Sequence, residues 1–390
     1  MEFLLPVYRQ PDFTLVRGEG DRVWDDAGRS YLDFTAGIAV NALGYGAPEL
    51  RRSVEEALEA GLIHTSNLYR TVPAAELARL LVERSFPGQV FFCNSGAEAN
   101  EAAFKFARRW AGAAHPGRRT GIVAFRGSFH GRLFGSLAAT DRPAYREPFE
   151  PLMPGVTFAE VGDPDGVAEI LGRGEACAVI IEPVQGEGGI RPVGDDFLKA
   201  LRALCDEHDA LLIFDEVQCG LGRTGEAFAW QLAGVVPDMM ALAKPLAGGF
   251  PMGAVVVSPG VAETVQPGDH ATTFGGGPLV ARVARTVVEK VTDPAFLARV
   301  REKGSRMGAR LAALVSAHPG ARRARGRGLM WGLELDGPAA PVVDAARRRG
   351  LLLVSAGAQV IRFVPPLTVS PEALEEAMDI LDASLSHAGY

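Results

Sequence analysis

Four stretches of the chain place a chemically capable side chain just beyond a short apolar run. In the first, Met239-Met240-Ala241-Leu242-Ala243 ends at Lys244 and turns into Pro245-Leu246-Ala247-Gly248-Gly249. The chain has five lysines against 35 arginines. Lys105, Lys199, Lys290 and Lys303 fall in charge-bearing helical stretches and are expected at the surface. Where arginine is the default cation, a lysine at a buried strand end points to a need for a primary amine. A guanidinium neither condenses with a carbonyl nor gives up its proton near neutral pH. A stem snorkelling from the strand end accounts for the same placement.

In the second stretch, Leu211-Leu212-Ile213-Phe214 closes on Asp215-Glu216-Val217-Gln218. A carboxylate at a buried strand end suits a cation, a ribose or a protonated ring nitrogen, and equally a solvated salt bridge. The third is Phe91-Phe92-Cys93-Asn94-Ser95-Gly96-Ala97-Glu98, where a strand gives way to a helix. A helix start offers free N–H groups and a positive dipole end to an anion. Ser95 and Glu98 also fit an ordinary capping box. The fourth is Phe125-Arg126-Gly127-Ser128-Phe129-His130-Gly131-Arg132. There Phe129 suits stacking on a flat ligand and Arg132 suits a bidentate carboxylate, while His130 reads as a packed, hydrogen-bonded side chain.

The elements that position these residues alternate. Apolar strands are expected at 90–93, 122–125, 179–181, 211–214, 239–243 and 254–257, with amphipathic helices between, as at 97–111 and 197–207. Most of these runs are uniformly apolar, as strands covered on both faces are. The pattern is α/β, a mostly parallel sheet flanked by helices, and ligands of such sheets sit beyond the carboxyl ends of the strands. A hairpin is expected around Asp26-Ala27-Gly28-Arg29. After Gly275-Gly276-Gly277 the chain turns helical, then strands are expected at 329–335, 351–354 and 360–363. A last helix is expected with Ser370 as N-cap, Pro371 at its first position, and Leu374, Ala377, Met378, Leu381 and Leu385 on one face. This divides the chain into residues 1–49, an N-terminal segment packing with a small domain, 50–276, a large domain, and 277–390, a smaller α+β domain.

Bulk properties narrow the class. A net charge of −7 gives no global basic field for nucleic acid. Arg322-Arg323-Ala324-Arg325 reads as a solvated loop or helix end, and Gly326-Arg327-Gly328 as a turn. Cys93, Cys177, Cys205 and Cys219 have no metal-ligand or disulfide spacing, so no metal is expected and a reducing cytoplasm fits best. The N-terminus lacks the features of a secretory signal, and no apolar run is long enough to span a bilayer. Phosphate-binding P-loop, dinucleotide-binding GxGxxG, zinc-protease HExxH and hydrolase GxSxG patterns are all missing.

Taken in order, the motifs resemble one family. Asn94–Asn100, Ser128–Arg132, Glu182-Pro183-Val184-Gln185-Gly186-Glu187-Gly188-Gly189, Asp215–Gly225 and Ala243-Lys244 are similar to class III aminotransferases of fold type I, from about residue 10 to the end. Phe34–Val40, Ser66–Tyr69 and Ile361–Leu367 resemble the acetylornithine aminotransferase subgroup. The resemblance implies pyridoxal 5′-phosphate as cofactor, carried as a Schiff base on Lys244. It implies that Asp215 pairs the ring nitrogen, that Ser95, Gly96 and Ala97 hold the phosphate, that Phe129 and Val217 flank the ring, and that Gln218 lies near the phenolic oxygen. Thr272 and Thr273 match residues lent by a neighbouring subunit, which implies a homodimer with shared sites. Arg132 matches a distal-carboxylate arginine, Arg362 the α-carboxylate arginine for glutamate, and Glu187 the gate over Arg362. The implied reaction is transamination of N2-acetylornithine with 2-oxoglutarate in arginine biosynthesis. Ornithine, succinyldiaminopimelate, 4-aminobutyrate or carrier-linked lysine are alternative donors. Pro245 and Gly277 depart from the subgroup pattern.

Overall fold

The computed structural model describes residues 3–115 and 119–390; Met1 and Glu2 of the N-terminal stretch lie outside them. Seven strands form the central sheet: β1 (Gln89–Cys93), β2 (Gly121–Phe125), β3 (Val156–Ala159), β4 (Ala176–Ile181), β5 (Leu211–Asp215), β6 (Met239–Leu242) and β7 (Gly253–Val257). Their order across the sheet is β1-β7-β6-β5-β4-β2-β3. The pairs among β2 to β6 are parallel, and β7 runs antiparallel to both β6 and β1. The connection from Ala243 to Met252 is too short for a parallel crossover, so the chain returns in the opposite sense.

Both faces of the sheet are covered, which explains the uniformly apolar strands. Ile122, Ala124, Ile180 and Ile213 pack with Phe104 and Ala107 of the helix Gly96–Ala114. Val123, Phe125, Val179 and Phe214, one residue out of phase, pack with Leu198 and Leu201 of Asp195–Glu207. A third cluster runs without a break from Met240 and Leu242 through Val287 and Val288 of the helix Pro278–Val291 to Leu374 and Leu381.

Beyond the central sheet, the antiparallel strands Leu15–Glu19, Arg22–Asp25 and Ser30–Asp33 gain a parallel neighbour in Leu351–Leu352. A second four-stranded sheet joins Ala321–Arg327, Met330–Leu335, Val360–Phe363 and Val354–Ser355. The strand expected at 351–354 is therefore two short ones, split at Leu353 between two sheets. The strands Leu15–Glu19 and Val156–Ala159 are additions to the sequence reading. Both lie at sheet edges and are partly exposed, so neither has the uniformly apolar run that marks the others.

The arginine cluster is corrected. Residues 322–325 are neither loop nor helix end but part of the strand Ala321–Arg327, and Gly326 and Arg327 belong to it as well. Acidic side chains accept the cluster: Arg322 pairs with Asp336, and Arg323 and Arg325 pair with Glu334. Only Gly328 turns, with φ +54°, and a Cβ there would lie 2.5 Å from the Arg223 carbonyl. Lys303 is also corrected. It is half-buried, its amine donating to the carbonyls of Leu367 at 2.6 Å and Val369 at 3.1 Å, and burial lowers its pKa to about 8.

The last helix, Pro371–Ala388, starts as its capping residues require. Ser370 Oγ accepts from the Ala373 N–H at 3.1 Å, and all five residues of the apolar stripe are buried. Ser370→Ala should lower stability by about 1 kcal/mol, and Ser370→Gly by a few tenths. Urea unfolding followed by circular dichroism checks both.

Candidate active site

The carboxyl ends of the parallel strands open into a cavity of about 450 Å³. Beyond β1, Ser95 caps the helix Gly96–Ala114, its Oγ accepting from the Glu98 N–H at 3.2 Å. The returning Glu98 carboxylate takes the Asn94 N–H at 2.6 Å rather than that of Ser95, so the capping box is shifted by one residue. The first-turn N–H groups of Gly96 and Ala97 lack intrahelical partners, and both residues line the cavity. A Cβ on Gly96 would come within 2.6 Å of Val217 Cγ1, so only glycine lets the helix start lie against that side chain.

At the end of β5, Asp215 is 3% exposed and held from three directions. Asn100 Nδ2 donates to Oδ2 at 2.8 Å, His130 Nδ1 lies 2.7 Å from the same oxygen, and the Val217 N–H donates to Oδ1 at 3.0 Å. An ionised carboxylate offers roughly four acceptor positions. Three are used, which leaves one for a donor in the cavity that Asp215 lines. His130 is packed as expected, and it orients Asp215. Glu216, next in sequence, serves the fold instead: its carboxylate accepts the N–H groups of Ala229 at 2.6 Å and Trp230 at 2.7 Å, and burial pushes its pKa up to about 7.

Lys244 follows β6 and lines the same cavity. Its φ of +33° lies in the left-handed region, which costs a non-glycine residue roughly 1–3 kcal/mol and is kept where surrounding structure enforces it. Pro245 is accommodated because it sits in the first turn of the short 3₁₀ helix Lys244–Ala247, where no N–H is needed. Burial, then the Arg362 guanidinium, holds the Lys244 amine below the usual lysine range, against the opposing pull of Glu187, Asp215 and Glu182. A larger share of the amine is thus neutral, the form that attacks a carbonyl.

Two arginines differ sharply in partners. Arg362, in the strand Val360–Phe363, is 1% exposed and donates to the Glu187 carboxylate and, at 3.3 Å, to Gln218 Oε1. Arg132 is exposed, lines the cavity, and has no acidic partner among the described residues. At the carboxyl end of β4, Glu182 joins two loops: its carboxylate accepts the N–H of Phe129 at 2.9 Å and that of Gly186 at 2.9 Å. Burial pushes the Glu182 carboxyl up, and the nearby His130 opposes the shift.

Ser95, Gly96, Ala97, Phe129, Arg132, Asp215, Val217, Gln218 and Lys244 are brought together around one cavity. Glu187 and Arg362 join through their ion pair and Gln218. Thr272 and Thr273 are not brought there. They line a separate hollow with His64, Asn67 and Leu68, although Asn94 Nδ2 reaches Thr272 Oγ1 at 3.4 Å. Asn100 and Glu182 stand inside the motifs quoted from the sequence but carry no assigned role there. Asn100 lies one helical turn into an alanine-rich buried face, and Glu182 directly follows an apolar strand, signals that mark each as a polar group needing a buried partner.

The arrangement offers a helix start with free N–H groups, a buried carboxylate with an acceptor position to spare, an amine of lowered pKa on a strained backbone, and two arginines, one paired and one open. The family model for class III aminotransferases matches residues 6–385. The mitochondrial acetylornithine aminotransferase of Alnus glutinosa is 48% identical over 382 residues, 97% of this chain and 84% of that protein. The succinylornithine transaminase of Yersinia pseudotuberculosis is 44% identical, over 97% of this chain and 93% of that one. The crystal structure of N-acetylornithine aminotransferase from Stenotrophomonas maltophilia has a TM-score of 0.86 at 40% identity, covering 97% of this chain and 96% of that chain. With the fold, the site and the relatives in agreement along nearly the whole length, the chain belongs to the class III aminotransferases of fold type I.

Proposed function

We propose that this enzyme moves the δ-amine of N2-acetylornithine to 2-oxoglutarate, producing N-acetylglutamate 5-semialdehyde and glutamate, as a step in arginine biosynthesis. The observation that carries this reading is the contrast between the buried Arg362, closed by Glu187, and the open Arg132 in the same cavity. The two amino donors of such a reaction differ in charge. An acylated ornithine carries one carboxylate, far from its reacting amine, whereas glutamate carries two. Arg132 suits the distal carboxylate of both, and Arg362 suits the α-carboxylate of glutamate. When no carboxylate arrives at Arg362, Glu187 pairs it and spares an unpaired buried charge. When glutamate arrives, its carboxylate takes the place of Glu187.

The family's cofactor is pyridoxal 5′-phosphate, and the residues fit it. The N–H groups of Gly96 and Ala97, with Ser95, would hold the phosphate. Phe129 and Val217 would flank the ring, Asp215 would accept from its nitrogen, and Gln218 would lie near its phenolic oxygen. Lys244 would hold it covalently. When bound, the group supplies an electron sink that acidifies the C–H beside the reacting amine. Lys244 would move the proton from that carbon, and Asp215, oriented by Asn100 and His130, would keep the ring nitrogen protonated.

A homodimer in which each chain lends Thr272 and Thr273 to its partner's cavity accounts for their position outside their own. The exposed apolar side chains of Leu62, Ile63, Leu68 and Phe274 support a subunit contact on that side. Among the described residues no helix is long and apolar enough to cross a membrane, and all four cysteines are free and buried, which supports a reducing cytoplasm. A second reading, succinylornithine as donor, is favoured by the likeness to a succinylornithine transaminase, since neither arginine inspects the acyl group.

Steady-state kcat/KM for acetylornithine, succinylornithine, ornithine, succinyldiaminopimelate and 4-aminobutyrate side by side tests the donor. A strong preference for a donor other than acetylornithine overturns the leading reading. Lys244→Ala should remove transamination by at least about 10²–10⁴-fold, with loss of the visible absorbance of the attached cofactor. Glu187→Gln should lower kcat/KM for acetylornithine by about tenfold while leaving that for glutamate equal or higher. Half-reactions followed by stopped-flow absorbance separate the two.

A further inference from the structure

The guanidinium of Arg132 lies 3.4 Å from the centroid of the Tyr145 ring, whereas the Phe129 ring is 5.9 Å away. We infer that Tyr145 is a specificity-determining positioning residue, holding Arg132 flat so that its N–H edge stays free for the carboxylate of the amino donor. This inference rests on the function proposed above.

The argument is one of geometry and of how an arginine spends its donors. At 3.4 Å, the thickness of two stacked planar groups, the guanidinium carbon sits over the face of the phenol. Such a stack engages the face of the guanidinium and leaves its five in-plane N–H groups unspent. An acidic partner would do the reverse, occupying the fork that a substrate carboxylate needs. Arg132 has no such partner among the described residues, so the ring is what restrains its long and otherwise mobile side chain.

Tyr145 is itself anchored. It lies in the single helical turn Pro143–Arg146, and the preceding Arg142 donates to the Glu187 carbonyl. One short segment thus supports Arg132 at one end and touches the backbone of the Arg362 gate at the other. The distance between the two carboxylate-binding positions is set by this segment as well as by the sheet.

The test compares Tyr145→Leu, which keeps bulk and loses the aromatic face, with Tyr145→Phe, which keeps the face. Donors are acetylornithine and acetylputrescine, the same molecule without its carboxylate. In the holoenzyme, Tyr145→Leu should raise KM for acetylornithine about tenfold with a much smaller change in kcat. It should alter acetylputrescine far less, and Tyr145→Phe should restore acetylornithine. Added to Arg132→Ala, Tyr145→Leu should cost little more, because its effect passes through Arg132. Equal losses for both donors, or a Phe variant as impaired as the Leu variant, would overturn the inference. A wild-type enzyme that transaminates neither donor overturns the functional reading instead. Calorimetric titration with N-acetylnorvaline, which keeps the carboxylate and lacks the reacting amine, then still decides: a Kd unchanged by Tyr145→Leu sinks the role of Tyr145.

Discussion

The site depends on burying a carboxylate where the sheet ends. Asp215 closes a strand that is covered on both faces, and taken out of water a lone carboxylate is expensive unless donors surround it. Asn100 and His130 supply them, one from the helix that starts the anion cradle and one from the loop beyond β2. Their bonds tie the helix and the loop to one oxygen, Oδ2, at the end of β5. The cradle, the aromatic residue Phe129 and the end of β5 are therefore set relative to one another before anything binds.

The other charges follow the same rule with different solutions. Arg362 is satisfied by Glu187 and Gln218, a pairing that can be exchanged because Glu187 remains partly exposed. Glu182 is satisfied by two backbone N–H groups and belongs to the frame. Lys244 has no ion-pair partner among the described residues, and its burial lowers its proton affinity, which suits a nucleophilic amine. Arg132 is restrained by an aromatic face and keeps its donors unspent. Pairing, backbone capture, desolvation and stacking thus assign four kinds of work to four ionisable groups around one cavity.

Much of the central sheet was legible because burial on both faces leaves an unbroken apolar run that any reader of side-chain chemistry can find. The last helix was legible because Ser370 and Pro371 declare its start locally. The strands at Leu15–Glu19 and Val156–Ala159 were not, since sheet-edge strands are partly exposed and carry no such run. The strand Ala321–Arg327 was hidden by its charges, whose acidic partners Glu334 and Asp336 become neighbours only when the next strand folds back.

By itself the sequence singled out groups suited to chemistry: a lysine ending an apolar strand among arginines, an aspartate ending another, and a glycine at a helix start. These are local facts of residue type and position. The pairing of Arg362 with Glu187, 175 residues apart in the chain, was expected from the family resemblance alone, whereas only the tertiary structure decided that Tyr145 lies over Arg132. It also decided that Lys303 is half-buried, and that Thr272 and Thr273 line a hollow apart from their own chain's cavity. The reason is physical. The identity of a charge is written in the chain, but its partner, its solvation and therefore its pKa are properties of what folding brings beside it.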